Sequence, residues 1–119
     1  MTLEELRYHR WEPLSVTLDH GLVSRYVPNK DIQDIPAEVF LNLESQRIID
    51  TLLDCSDKVL LANSSLEINR AAIIGTEVDI ATRVSGMHIL KGQAFVTVEQ
   101  TYSKDDQIVA LLTQVLVLS

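Results

Sequence analysis

The sequence predicts an α+β fold, one antiparallel sheet packed on one long helix. Three observations carry that prediction. The stretch Pro36 to Leu53, PAEVFLNLESQRIIDTLL, places apolar residues at the spacing of an amphipathic helix. From Val59 onward the period falls to 2 and stays there, as in strands with one face turned inward. The strings between those later segments are short, so successive strands run antiparallel.

In chain order, residues 1–14 read as an N-terminal extension. Thr2 stands three residues before Glu5, the spacing of a capping box, and predicts a helical turn over Leu3 to Tyr8. Tyr8 and Trp11 are expected to pack as a lid on the body of the domain. Ser15 to Val27 reads as extended backbone broken at Gly21, with Val16 and Leu18 alternating with polar neighbours. Pro28-Asn29-Lys30-Asp31 has the composition of a turn. Asp31 or Asp34 can cap the helix that follows, and Pro36 suits its first turn.

That helix, 36–53, is about five turns long. Ala37, Phe40, Leu41, Ile48 and Leu52 share one arc of it, and Asn42, Gln46, Arg47, Asp50 and Asp54 take the opposite side. Glu44 falls inside the apolar arc, in one column with Phe40 and Ile48 at i−4 and i+4. A carboxylate there has to be paired, neutral or in use.

Val59 to Asn69 sets Leu60, Ala62, Ser64, Leu66 and Ile68 on one face. Glu77 to Val84 alternates Val78, Ile80, Thr82 and Val84 against Glu77, Asp79 and Arg83. Ser85-Gly86-Met87 reads as a turn, and Leu90 to Tyr102 as a strand with Ala94, Val96 and Val98 inward. Ser103-Lys104-Asp105-Asp106 is a hairpin loop, and Ile108 to Leu118 is the last strand. Being apolar on both faces, it predicts cover on both, the outer one by a partner subunit.

At 119 residues the chain is expected to be a single domain, 1–119, burying roughly two-thirds of the surface its unfolded form exposes. A hydrophobic content of 46% argues for a packed core. The formal charge of −7 argues against nucleic-acid and anionic-membrane partners, which need clustered Lys and Arg. Cys55 is the single cysteine, so no disulfide staples the chain, and the sequence implies neither metal site nor cofactor. No apolar run is long enough to span a bilayer and no signal-peptide pattern opens the chain, so the expected location is cytoplasmic.

A leading strand, a long helix and four further strands form an order that resembles the hotdog fold, a curled antiparallel sheet wrapped around one central helix. The resemblance runs from about Val16 to Leu118. Its most specific part is Ser65-Leu66-Glu67-Ile68-Asn69-Arg70-Ala71-Ala72-Ile73-Ile74-Gly75-Thr76-Glu77-Val78, which looks like the strand, loop, Gly-plus-polar turn and alternating strand of hotdog thioesterases. The resemblance implies an acyl-CoA or acyl-carrier-protein thioester as substrate, and a homodimer or homotetramer.

Thioesterases of the phenylacetate-pathway and 4-hydroxybenzoyl-CoA type carry a helix Asp or Glu as nucleophile or general base. Counted back from Gly75, Glu44 stands near that spacing. The family usually opens this helix with His-Gly-Gly or a related turn whose amides hold the oxyanion. Here Pro36 and Ala37 occupy those positions, which leaves amides near Ala37 and Glu38 for that task. Ser64 and Ser65, with Asn63, match the strand that lines the acyl site in related proteins. A second alignment, to fluoroacetyl-CoA thioesterase-like hotdogs, matches Asp50 to their glutamate and Asn42 to their threonine. Each residue also has a plain structural reading: Glu44 as an i+3 ion pair with Arg47, Asp50 on a solvated face, Asn63, Ser64 and Ser65 as ordinary strand polarity. His20 beside Asp19 suggests an acid-base pair, but neighbours on a strand point apart. The expected function is thioester hydrolysis with Glu44 as base or nucleophile; the alternative is a non-catalytic acyl-binding or structural hotdog dimer.

Overall fold

A computed structural model describes residues 1–28 and 31–119. In chain order the elements are α1 (Leu3–Leu6), β1 (Leu14–Thr17), α2 (His20–Val23), α3 (Ala37–Asn42), α4 (Ser45–Leu53), β2 (Val59–Ile68), β3 (Glu77–Leu90), β4 (Gln93–Lys104) and β5 (Gln107–Leu118). The five strands form one antiparallel sheet in the order β1-β3-β4-β5-β2. With the helices on its inner face, this is the hotdog architecture. No described helix is long and apolar enough to cross a membrane.

Only β3, β4 and β5 form a meander. Strand β2 lies at the far edge beside β5, so the segment after it crosses back to β3 and is not a hairpin. The two real hairpins have tight turns. Lys91 (φ 53°) and Gly92 (φ 79°) form one, and Asp105 (φ 50°) and Asp106 (φ 62°) the other. Positive φ at both central residues gives the twist that adjoining strands need. Aspartate accepts that conformation better than most residues.

The predicted helix is present, but in two pieces. α3 ends at Asn42 and α4 starts at Ser45, with Glu44 at φ −113°, ψ 10° as the N-cap of α4. A continuous helix would direct the Glu44 amide at the Phe40 carbonyl. That carbonyl instead accepts the Tyr102 hydroxyl at 2.8 Å. A side chain inserted into the helical ladder is a recognised cause of a kink.

Four expectations are corrected. Ser15 to Val27 is not all extended: Asp19 accepts the Leu22 amide at 2.9 Å and caps α2, which places His20 and Gly21 in a helix. Ser85-Gly86-Met87 is no turn but a bulge inside β3, where the pairing slips between Val84 and Gly86. A second bulge between Leu61 and Asn63 breaks the single face expected for β2, setting Leu61 and Ser64 on the same side. Tyr8 is 76% exposed and covers nothing, whereas Trp11 is buried with its indole donating to Thr51 Oγ1 at 2.9 Å. The capping box is as predicted, with Thr2 Oγ1 accepting the Glu5 amide at 3.1 Å. α3 opens at Pro36, which has no side-chain cap. The turn at Pro28 to Asp31 centres on Asn29 and Lys30, outside the described residues.

Candidate functional site

The interior is two apolar clusters. One holds Val39 and Phe40 of α3 with Val78, Ile80, Tyr102, Ala110 and Leu112. The other holds Ile48 and Leu52 of α4 with Leu6, Trp11, Val84, Val96, Val98 and Leu116. Between them, each of three neighbouring strands spends one inward position on a polar residue. Thr82 falls between Ile80 and Val84, Gln100 between Val98 and Tyr102, and Gln114 between Leu112 and Leu116, all buried. Thr82 and Gln100 are register partners, as are Gln114 and Ser64. Gln100 Nε2 donates to Thr82 Oγ1 at 3.3 Å and Gln114 Nε2 to Ser64 Oγ at 3.4 Å. Buried amides left unbonded would cost about 1–3 kcal/mol each. Their pairing joins Thr82 to Gln100 and Gln114 to the exposed Ser64, two pairs that make a polar seam across four neighbouring strands.

The helix breaks at the same level. Glu44 stands at the joint between α3 and α4, hence between the clusters those helices cover, with only 11% of its side chain exposed. Arg47 Nε lies 3.0 Å from Glu44 Oε2. Its N–H is not aligned for a hydrogen bond, so the contact is an ion pair. Arg47 Nη1 donates to the Glu12 carbonyl at 3.1 Å, and Nη2 is buried with no partner among the described residues. Burial first, and then the charge of Glu44, pushes the Tyr102 hydroxyl well above its ordinary pKa. Tyr102 therefore works as a neutral hydrogen-bond donor.

The other predicted residues are scattered. Ala37 and Glu38 open α3, about 10 Å along the helix from Glu44 at 1.5 Å per residue. Asn42 and Asp50 are exposed. The Asn42 amide donates to the Glu38 carbonyl at 2.8 Å, and Asp50 accepts Gln46 Nε2 at 2.7 Å. On β2, Ser64 faces inward with Gln114, while Asn63 and Ser65 pair with Val115 and Thr113 on the outer face. His20 is exposed in a cleft of about 520 Å³ with Gln33, Ile73 and Ile74. Burial pushes the Cys55 thiol pKa up, away from a reactive thiolate. Among the described residues, no three His, Cys, Asp or Glu side chains converge as a metal site.

Gln100 and Gln114 escaped the sequence reading. Their signal was present: each interrupts an apolar row at the inward parity of its strand, as Thr82 does on β3.

No protein-family model and no curated protein matches the chain. Solved structures do. A chain of the C-terminally truncated HadBC (3R-hydroxyacyl-ACP dehydratase) complex from Mycobacterium tuberculosis aligns with a TM-score of 0.71 at 12% identity, over 94% of this chain and 96% of that one. A thioesterase from Thermus thermophilus, solved with coenzyme A and Zn, gives 0.64 at 16% identity, over 90% and 82%. A MaoC-like dehydratase from Rhodospirillum rubrum gives 0.62 at 16%, over 99% and 96%. At such identities the likeness is one of fold.

Proposed function

We propose that this hotdog protein hydrolyses an acyl-CoA or acyl-carrier-protein thioester, with Glu44 as general base or nucleophile. The observation that carries this reading is the place of Glu44: a carboxylate withdrawn from water at a helix break, level with a polar seam between two apolar clusters. A seam of that kind suits a substrate with an apolar chain and one polar reacting group. Glu44 takes a proton from a water that attacks the carbonyl carbon, or attacks it directly to give an acyl-glutamyl anhydride that water then cleaves; in both routes the C–S bond breaks and the thiolate leaves. The first amides of α3, at Ala37 and Glu38, have no intrahelical partner and are the donors for the developing oxyanion. Ser64, held by Gln114, lines the acyl side.

The start of α3 and Glu44 stand about two turns apart in backbone position, an arrangement that suits a site completed by a second protomer. A complete site then takes its amides from one protomer and its carboxylate from another. The open edge of β2 supports this assembly. β2 is a ten-residue strand with no second neighbour, and Leu60, Leu61 and Ile68 on it are exposed. Such an edge invites pairing with a second copy. The half-exposed outer row Leu111, Val115 and Val117 on β5 suits stacking of dimers into tetramers. A monomer by light scattering at micromolar concentration overturns this assembly.

The Arg47 ion pair favours the second reading, a non-catalytic acyl-binding or structural dimer, because an adjacent arginine already gives the buried carboxylate a structural partner. Thiol release from a panel of acyl-CoA and acyl-carrier substrates separates the two. Release that disappears in Glu44→Gln supports hydrolysis, and no release from any substrate leaves binding.

A further inference from the structure

We propose that Arg70 and Lys104 form an anion site for the phosphate end of the pantetheine carrier, an inference that rests on the acyl-thioester reading above. The topology brings the two together at one end of the sheet. Arg70 follows β2, and its amide bonds to the Val109 carbonyl at 3.3 Å, which ties it to the start of β5. Lys104 ends β4 and pairs with Gln107 across the adjoining hairpin. Both line a single cleft of about 470 Å³ with Ala72, Thr76, Val109, Gln107 and the acid Asp105.

Two further observations favour an anion there. The chain carries ten Lys and Arg against seventeen Asp and Glu, so two cations at one cleft run against its overall charge. Neither Arg70 nor Lys104 makes an ion pair among the described residues and both are exposed, so both charges are open to a ligand. Asp105 leaves the cleft a net positive charge of one if all three are ionised. The floor continues inward. Ala72 and Val109 are buried in the cluster that holds Phe40 and Tyr102, the two residues joined at the helix break beside Glu44. A carrier bound by its phosphate at this mouth meets the apolar edge of that cluster with the uncharged arm next to the phosphate. Arginine gives a phosphate two parallel N–H bonds, and lysine adds a point charge.

The test is calorimetric titration of the wild type and the Arg70→Gln/Lys104→Gln double variant with CoA, 3′,5′-ADP and pantetheine at two salt concentrations. Both side chains are exposed, so the variant is expected to fold as the wild type does. CoA affinity should fall roughly tenfold to a hundredfold in the double variant, and most of its salt dependence with it. Affinity for pantetheine, which lacks phosphate, should not change. Equal CoA affinity in the two proteins overturns the proposal, as does absence of CoA and acyl-carrier binding by the wild type. Steady-state KM values identify the source. A rise with acyl-CoA and acyl-carrier substrates alike assigns the phosphate they share, and a rise with acyl-CoA alone assigns the nucleotide phosphates. Thiol release with KM unchanged on both carriers overturns the anion site and leaves the hydrolase standing. Binding that depends on Arg70 and Lys104 without thiol release does the reverse.

Discussion

The two halves of the interior are closed by different means. Around α3 the cluster contains a hydroxyl, that of Tyr102, bonded to the Phe40 carbonyl, with the two rings edge to face at 5.0 Å and 74°. Around α4 the cluster is apolar and is sealed from outside by the N-terminal segment. There Trp11 bonds Thr51, His9 packs edge-on against Trp11 at 4.5 Å, and the Trp11 and Val84 amides donate to the Thr82 and His9 carbonyls along β3. The α4 half thus holds itself together by burial, by a backbone ladder and by one side-chain bond, Trp11 to Thr51, which ties the N-terminal segment to the helix. The α3 half uses one directional bond, and that bond sits where the helix breaks and Glu44 turns in. Chemistry and stability are separable on this basis, and substitutions on either side of the seam test it.

The largest expected effect is catalytic. Glu44→Gln keeps the shape and hydrogen-bonding capacity of the side chain but removes its charge. Thiol release from the best thioester should fall at least about a hundredfold, the lower range for loss of a general base. Melting should show a cooperative transition in both proteins. A variant as active as the wild type removes Glu44 from the mechanism.

Large-to-small changes in the two halves come next. Phe40→Ala should cost about 3–5 kcal/mol and Ile48→Ala about 2–5 kcal/mol in chemical denaturation, from lost transfer energy and an unfilled cavity. Both residues are about 1% exposed, so their difference reports packing and not exposure. Phe40→Ala should be the costlier, because it also removes the ring contact with Tyr102. The opposite order would mean that the α4 half carries the greater share of side-chain stabilisation.

Tyr102→Phe is smaller and more specific. It strands the buried Phe40 carbonyl and should cost about 1–3 kcal/mol. The pH dependence gives a second readout. The folded-state pKa of Tyr102 lies above its unfolded value near 10, so the folded chain keeps a proton that the unfolded chain loses. Its contribution to stability is intact below about pH 10 and declines as pH rises beyond that value. Denaturation midpoints measured from pH 8 upward should therefore fall less steeply in Tyr102→Phe than in the wild type. Parallel curves would show that Tyr102 titrates alike in the two states.

The strands were legible in the sequence because their inner faces repeat at period 2, and the structure keeps that parity along β3, β4 and β5. The helix break was not. Leu43 and Glu44 are good helix formers, and the 3.6-residue pattern runs through them without a fault. What interrupts the ladder is the hydroxyl of Tyr102, which lies 62 residues away in sequence. No local propensity encodes such a bond. The misfit of Glu44 was visible because one residue broke a periodic stripe; the seam opposite it was spread over four strands, one residue in each. The helix α2 hid for a different reason. Its cap, Asp19, stands in a segment whose alternation reads as extended, while its side chain bonds the Leu22 amide three residues on.

The smallest expected effect is the most useful control. Asp50 lies on α4, two residues from Ile48 and Leu52, but turned away from both clusters, and its partner is Gln46 one turn earlier. An exposed pair of that kind contributes little, and asparagine keeps an oxygen for the same bond. Asp50→Asn should therefore match the wild type in thiol release, KM and melting temperature. The comparison matters because the fluoroacetyl-CoA-like alignment assigns the catalytic carboxylate to Asp50, and Asp50 and Glu44 are six residues apart on the same helical stretch. Loss of activity in Asp50→Asn with full activity in Glu44→Gln would move the reacting carboxylate from the seam to the solvent face. The amides opposing it would then have to come from a partner covering that face of α4. Loss in Glu44→Gln alone keeps the chemistry at the helix break, where Tyr102 fixes the backbone and Arg47 holds the charge.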